Sequence, residues 1–299
     1  MTKPQITAVL VNYNAGRELG LALQSIADEL SGQAWEAVVV DNASSDGSGA
    51  VVAAFAPHVR LLQNVENVGF ARGVNQGLAA SSGPLVVIMN PDCRLVTGAF
   101  AALRAELEKS PACAIVGPRI LDPDGSLQGS ARGDPDMFTG LFGRNTMLRR
   151  VLPDLAVSRR NVVSDVAIGD GRASLVVDWL SGACMLARRD ALLLVNGFDE
   201  RYFLYWEDAD LCRRLRASGY HVRYVPGATA VHHVGHSSRR VKAAAIRAFH
   251  DSAYLYYATH VAPTALPKRI LAWLLLSIRC RVHLRLGVQD APRAGAESS

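Results

Sequence analysis

Cysteine is scarce in this chain of 299 residues: five, scattered, with neither the paired spacing of a metal knuckle nor a disulfide framework. That usage suits a reducing cytosol. Long apolar runs are missing as well. The run at 270–278 is far shorter than the ~20 residues that cross a bilayer. After Met1-Thr-Lys-Pro-Gln the sequence opens directly into a strand-like stretch, so no signal peptide is expected. The Gly-x-Gly-x-x-Gly of dinucleotide-binding folds is absent. The loop after the first strand reads Asn12-Tyr-Asn-Ala-Gly-Arg, and Gly47-Ser-Gly49 after the second lacks a third glycine. No Walker phosphate loop occurs. These absences exclude nicotinamide and flavin enzymes and P-loop ATPases.

What is present is ordinary in bulk: 49% apolar and 20% charged residues, enough for one large domain with an appendage. The net charge of +5 is uneven. Between His236 and Leu286 nine Lys or Arg face one acid, Asp251, so the rest of the chain is slightly acidic. The basic character therefore belongs to the C-terminal segment. Nucleic acid is not expected as a partner.

Taken in order, the chain alternates strands with helical patterns. Apolar runs at 6–12, 35–41, 59–63, 85–89 and 114–117 read as strands, and 17–30, 71–80 and 98–109 have helical periodicity. This predicts an α/β fold with a mostly parallel sheet flanked by helices. Ligands in such sheets sit at the carboxyl ends of the strands. Polar residues collect there: Asn12, Tyr13 and Asn14, then Asp41 and Asn42, then Asn90 and Asp92. Turn chemistry explains any one of these loops. Two strand-end aspartates with an aromatic beside them fit a nucleotide pocket better. The loop 64–75 runs into a helix with Arg72 and Asn75 one turn apart, a diphosphate neighbourhood or else a surface turn. Residues 120–175 are irregular and read as a long excursion over the active face, beginning with a hairpin turn at 122–125. Strands are expected at 176–179 and 184–187, on either side of Ser181-Gly182, and again at 221–225.

Residues 197–211 carry the densest chemistry. Tyr202, Phe203, Tyr205 and Trp206 lead into Glu207, Asp208 and Asp210. A short helix follows, stopped at Gly219. Asp208, Leu211, Cys212 and Leu215 fall at i, i+3, i+4 and i+7, so Asp208 is expected to face inward. Asp210 is expected to pair outward with Arg214. A carboxylate walled by aromatics is placed to have a raised pKa and act as a base. The plainer reading is that acids favour a helix's first turn. His232 and His236 are four apart, but Gly235 argues against a helical metal pair. One histidine contributing to a site built elsewhere is the better reading.

Together these pieces resemble a family 2 glycosyltransferase of the GT-A fold. The resemblance runs in order over about residues 5–238: Val-Asn-Tyr-Asn14, Asp41-Asn42, Asn67-Val-Gly-Phe-Ala-Arg-Gly-Val-Asn75, Asn90-Pro-Asp92, Ser181-Gly182-Ala, Gly197-Phe-Asp-Glu, Glu207-Asp208 and His232-x-x-Gly-x-Ser237. Asn-Pro-Asp92, the Asn-x-Gly-Phe loop and Asp122-Pro-Asp-Gly-Ser are most similar to bacterial rhamnosyltransferases.

The resemblance implies a GT-A domain over 1–238; the charge distribution marks 239–299 as a basic amphipathic helical segment. It implies that Tyr13 and Asp41 hold the nucleotide base, with Asn42, Arg72, Asn75, Asn90 and Asp92 around the donor. Asp92 and His232 would bind Mg²⁺ or Mn²⁺. Asp208 would be the base of an inverting transfer, with Gly182 and Glu207 on the acceptor side. Many relatives have a second carboxylate where this chain has Asn90, so one anionic ligand is lost. The expected partners are a dTDP- or UDP-linked sugar, with L-rhamnose from dTDP-rhamnose the leading candidate, and a saccharide or lipid-linked acceptor for cell-surface polysaccharide. The basic, apolar helix at the C-terminus suggests a cytoplasmic protein peripheral on the inner face of the membrane. A non-catalytic nucleotide-sugar binder and a sugar-nucleotide pyrophosphorylase are the alternatives.

Overall fold

The first strand, Ile6–Asn12 (β1), buries all seven of its residues. A strand covered on both faces needs no polar alternation, hence its unbroken apolar run. The computed structural model describes residues 3–134, 173–233 and 242–289. The Gly-x-Ser end of the last motif, Gly235 and Ser237, lies outside the described residues, as does most of the irregular excursion.

After β1 come α1 (Glu18–Glu29), β2 (Trp35–Asp41), a 3₁₀ helix (Ser48–Phe55), β3 (Val59–Gln63), α2 (Phe70–Ala79), β4 (Leu85–Met89), β5 (Cys93–Leu95), α3 (Ala99–Glu108), β6 (Cys113–Leu121) and β7 (Ala131–Arg132). The second half holds β8 (Leu175–Val176), β9 (Trp179–Leu180), β10 (Cys184–Arg188), α4 (Arg189–Leu194), α5 (Glu207–Ala217) and β11 (His221–His232). Helix α6 (Lys242–Tyr256), a π-helical turn (Tyr257–Val261) and α7 (Leu266–Gln289) close the described chain.

The main sheet has the order β3-β2-β1-β4-β10-β6-β11-β5, with β8 also on β11. Pairs β2–β3, β1–β2, β1–β4 and β6–β11 are parallel. Strand β10 runs antiparallel between β4 and β6, and β5 is antiparallel to β11. Two cores result. Ala8 and Leu10 of β1 pack with α1, the 3₁₀ helix and α3, whereas Val9 and Val11 pack with α2, α4 and α5. Burying one side chain such as Leu23 or Leu215 stabilises by roughly 1.5–3 kcal/mol. Helix α2 lies hard against β1, and a Cβ at Gly73 would come 2.9 Å from Val11.

Helices α6 and α7 pack on each other, around Tyr257, Ala262 and Ala272. Tyr256 of α6 also joins Tyr202 and Ala209 in a buried cluster beside the start of α5. The C-terminal helices therefore touch the stretch that carries the acidic triplet.

Candidate active site

Parallel register places Asn12 directly beside Asp41 at the carboxyl ends of β1 and β2. Asn12 Nδ2 donates to Asp41 Oδ2 at 2.8 Å and lies within donating distance of Ser48 Oγ (2.8 Å) and Ser44 Oγ (3.1 Å). The Ser44 N–H donates to Asp41 Oδ1 at 2.7 Å. Asp41 is thus buried and held by fixed donors, while Asn12 Oδ1 is buried without a partner. Asn14, with φ 53°, stitches the two loops: its N–H donates to Ser44 Oγ and its Oδ1 accepts from the Ser45 N–H. Tyr13 stands half-buried between them. The sequence marked Tyr13 and Asp41 here; it did not mark Ser44 and Ser48, which only the folded loop brings to Asn12.

Asn42 is spent on backbone architecture. Its Nδ2 donates to Asn67 Oδ1 (3.2 Å) and the Gly69 carbonyl (3.1 Å), and its Oδ1 accepts from Asn64 at 2.8 Å. Asn75 is similar. It donates to the Phe198 carbonyl and accepts from the Phe198 N–H, locking the Gly197-Phe198 turn onto α2. Arg72 is exposed, 3.8 Å from Glu200. Gly69 has φ +87°, and a Cβ there would lie 2.5 Å from the Phe203 carbonyl, so this loop and the aromatic stretch are in direct contact. The Phe70 N–H donates to that carbonyl at 2.7 Å.

Asp92 and His232 meet because β11 pairs antiparallel with β5, setting His232 opposite Cys93. His232 Nε2 lies 3.1 Å from Asp92 Oδ1 and 3.2 Å from Asn90 Nδ2. Its other nitrogen, Nδ1, is 2.9 Å from Gln128 Oε1. Gln128 Nε2 donates to Asp122 Oδ1 and to the His232 carbonyl, which fixes its amide orientation. The Nδ1 proton is therefore held by Gln128, and in the neutral ring Nε2 turns its lone pair toward Asp92. In that tautomer Nε2 and Asp92 Oδ1 face each other beside the Asn90 amide, an N/O donor pair of the kind that holds a divalent cation. Among the described residues no third His, Cys, Asp or Glu joins the pair. Gln128 was invisible beforehand, since nothing in the sequence ties it to a histidine 104 positions later.

Register carries the site onward. The Asn90 N–H donates to the Ala183 carbonyl at 2.9 Å, so Gly182 sits next to the loop that carries Asn90 and Asp92. The Gly182 N–H donates to Asp208 Oδ2 at 2.9 Å, and the Ala209 N–H to Oδ1 at 2.8 Å. Asp92, His232, Gly182 and Asp208 thus share one end of the sheet.

The inward-facing assignment within the triplet needs correcting. Asp208 is only partly buried; Glu207 (5% exposed) and Asp210 (0%) are the interior ones. Asp210 does pair with Arg214, at 2.7 Å, but inside the protein and together with His260 at 2.6 Å. The reason is that α5 is covered from two sides, by the sheet and by the C-terminal helices, so a single apolar stripe does not mark its interior. Burial, reinforced by the charge of Asp208, pushes the Glu207 carboxyl well above the usual carboxylate range. Its Oε2 is buried without a hydrogen-bond partner.

Known proteins resemble this chain in sequence and fold. The family model described as Glycosyl transferase family 2 matches residues 7–165. The N-acetylglucosaminyl-diphospho-decaprenol L-rhamnosyltransferase of Mycobacterium tuberculosis is 35% identical over 269 residues, covering 85% of this chain and 84% of that protein. Rhamnosyltransferase WbbL of Escherichia coli is 43% identical over 83 residues, 28% of this chain and 31% of the relative. Among solved structures, GalNAc-T7 with UDP, GalNAc and Mn²⁺ superposes with a TM-score of 0.61 at 16% identity, over 88% of this chain. The chain spans about half (52%) of that structure's length. The mannosyltransferase PcManGT of Pyrobaculum calidifontis, in complex with GDP-Man and Mn²⁺, gives 0.53 at 20% identity, over 97% of this chain and 81% of that one. These two likenesses bear out the GT-A fold. With a family model over half its residues and a relative aligned along most of both chains, the protein belongs to glycosyl transferase family 2.

Proposed function

We propose that this glycosyltransferase moves L-rhamnose, with inversion, from dTDP-rhamnose onto a lipid-linked N-acetylglucosaminyl diphosphate in cell-surface polysaccharide synthesis. The observation that supports this substrate class is the mycobacterial relative, whose name gives that acceptor and that sugar and which aligns over 85% of this chain. The chemistry is supported by Asp208. Two backbone N–H groups orient its partly exposed carboxylate, from Gly182 to Oδ2 and from Ala209 to Oδ1. Asp208 takes the hydroxyl proton as the acceptor oxygen bonds to the anomeric carbon. The bond from that carbon to the diphosphate breaks on the opposite side, releasing the nucleoside diphosphate. One carboxylate suffices for inversion.

Asp92 and His232 are the protein ligands in this reading, with Asn90 beside them and the remaining positions left to diphosphate oxygens. A bound Mg²⁺ or Mn²⁺ supplies charge neutralisation for the leaving diphosphate. Tyr13 and Asp41 receive the base, with Asn12 holding the Asp41 carboxylate in place. Asn42 and Asn75 serve the donor by shaping its loops, and Arg72 reaches from the loop edge. Gly182 and Glu207 border the acceptor.

The acceptor's lipid places the reaction at a membrane surface. No helix among the described residues is long and apolar enough to cross one. Helix α7, however, exposes Ile270, Leu271, Trp273, Leu274 and Ile278 between basic residues, a face suited to lie in an anionic interface. The protein then works from the cytoplasm, seated on the inner leaflet. The deciding experiment is a transfer assay with dTDP-rhamnose, other dTDP- and UDP-sugars, and a prenyl-diphospho-N-acetylglucosamine acceptor. Rhamnose incorporation matched by dTDP release supports the reading. Preference for another donor, or pyrophosphate release instead, overturns it.

A further inference from the structure

The turn that presents Glu207 and Asp208 is strained. Tyr205 and Trp206 are consecutive non-glycine residues with φ of 70° and 69°. Such a conformation is sterically disfavoured and persists only where its surroundings impose it. Here α6 imposes it. Ser252, itself buried, donates its hydroxyl to the Leu204 carbonyl at 3.0 Å. The Phe249 ring stands 6.0 Å from Tyr205 and 5.9 Å from Trp206, and Tyr256 is 5.4 Å from Trp206. Further along α5, Arg213 donates to the His260 carbonyl at 3.0 Å, and His260 faces Asp210. From the opposite side, Phe70 holds the Phe203 carbonyl.

We propose that Ser252 is a positioning residue for the transfer, with Phe249 as its companion: through Leu204 and the two left-handed residues it fixes where Asp208 stands. The C-terminal helices are then part of the catalytic unit and not a detachable anchor. This inference rests on the proposed role of Asp208. A misplacement of about 1 Å can cost on the order of 10²-fold in rate, so the loss of the one buried hydrogen bond between Ser252 and Leu204, 48 residues apart, suffices to lower turnover.

A double-mutant cycle on the full chain tests it. Ser252→Ala is expected to lower kcat at least ~10-fold, with the donor Kd by calorimetry within about twofold of wild type. In an Asp208→Asn background the same substitution should change the residual rate less than about twofold, since a residue acting through a base has nothing left to position. Equal losses in both backgrounds, or a Ser252→Ala kcat within twofold of wild type, overturn the proposal. If Ser252→Ala does not fold, Phe249→Leu takes its place with the same expectations. The wild-type donor preference tests the proposed function separately, because the cycle reads only ratios to wild-type turnover.

Discussion

Gly182 and Asp208 are joined by a single hydrogen bond, backbone N–H to Oδ2 at 2.9 Å, across 26 residues of sequence. The bond fixes a carboxylate beside the loop that carries Asn90 and Asp92. Asp208→Asn keeps the shape and removes the base. Turnover should fall ~10²–10⁴-fold, with donor and metal binding close to wild type by calorimetry. Near-native turnover would show that the proton goes elsewhere.

The metal reading predicts different behaviour at three positions. Asp92→Ala should abolish the metal response of the reaction while far-UV circular dichroism is unchanged. Chelation should stop the wild type and re-addition of Mg²⁺ or Mn²⁺ restore it. Gln128→Leu frees the His232 tautomer, and loss of such an outer partner costs roughly 10–100-fold in metal affinity. Titration of Mn²⁺ into each variant checks this directly. Turnover indifferent to chelator would remove the metal altogether.

Glu207 predicts a pH dependence of stability. Its folded pKa lies above the ordinary 4.5, so the folded protein holds a proton that the unfolded chain releases. The proton-linked stability is fully present below that ordinary value and is lost as pH rises toward the raised folded value. Glu207→Gln cannot ionise. Its melting temperature should gain on wild type as pH climbs above about 4.5, and parallel curves would show Glu207 to be uncoupled from folding.

Gly69→Ala probes the contact between the donor-side loop and the aromatic wall. The new methyl would meet the Phe203 carbonyl at 2.5 Å, in a backbone conformation that already disfavours side chains. A loss of about 1–3 kcal/mol is expected, measured by denaturant titration. Gly182→Ala offers the contrast, since its nearest neighbour, Asp208 Cβ, would be 3.5 Å away.

Membrane seating is best tested without deleting α7, because Ala272 and Leu276 bury its inner face. Replacing Ile270, Trp273 and Leu274 with serine alters only the exposed side. Co-sedimentation with anionic vesicles should fall, while turnover on a short-chain soluble acceptor is retained. Vesicle binding equal to wild type would remove the role of this face.

Much of this was readable beforehand. The buried strands announced themselves as apolar runs, and β1 to β4 with α2 and α3 lie within a residue or two of their expected limits. The ends of strands carried the right polar residues. What periodicity could not supply was the surroundings of α5. A helix covered on two sides has no exposed stripe by which to orient it, so Glu207 and Asp210 proved interior where Asp208 was expected. Asn42 and Asn75 show another limit. An asparagine at a strand or helix end reads the same whether it faces a ligand or ties down a loop, and only tertiary contact separates the two. Gln128 had no local signature at all.

Strand β11 breaks step with β6 partway along. It follows β6 in parallel from His221 to Val225, skips three residues, resumes at Thr229, and meets β5 at its last three positions. The skipped residues, Pro226, Gly227 and Ala228, act as a gearing device. They set the register at which Thr229 to Val231 rejoin β6, and with it the phase of His232. Because side chains alternate faces at every step, removing one of the three would send the imidazole to the far side of the sheet. The sheet upstream would keep its pairing, so the change would be felt at His232 and at the β5 edge. Insertions and deletions at 226–228 thus bear on the fidelity of the site more than on the stability of the fold.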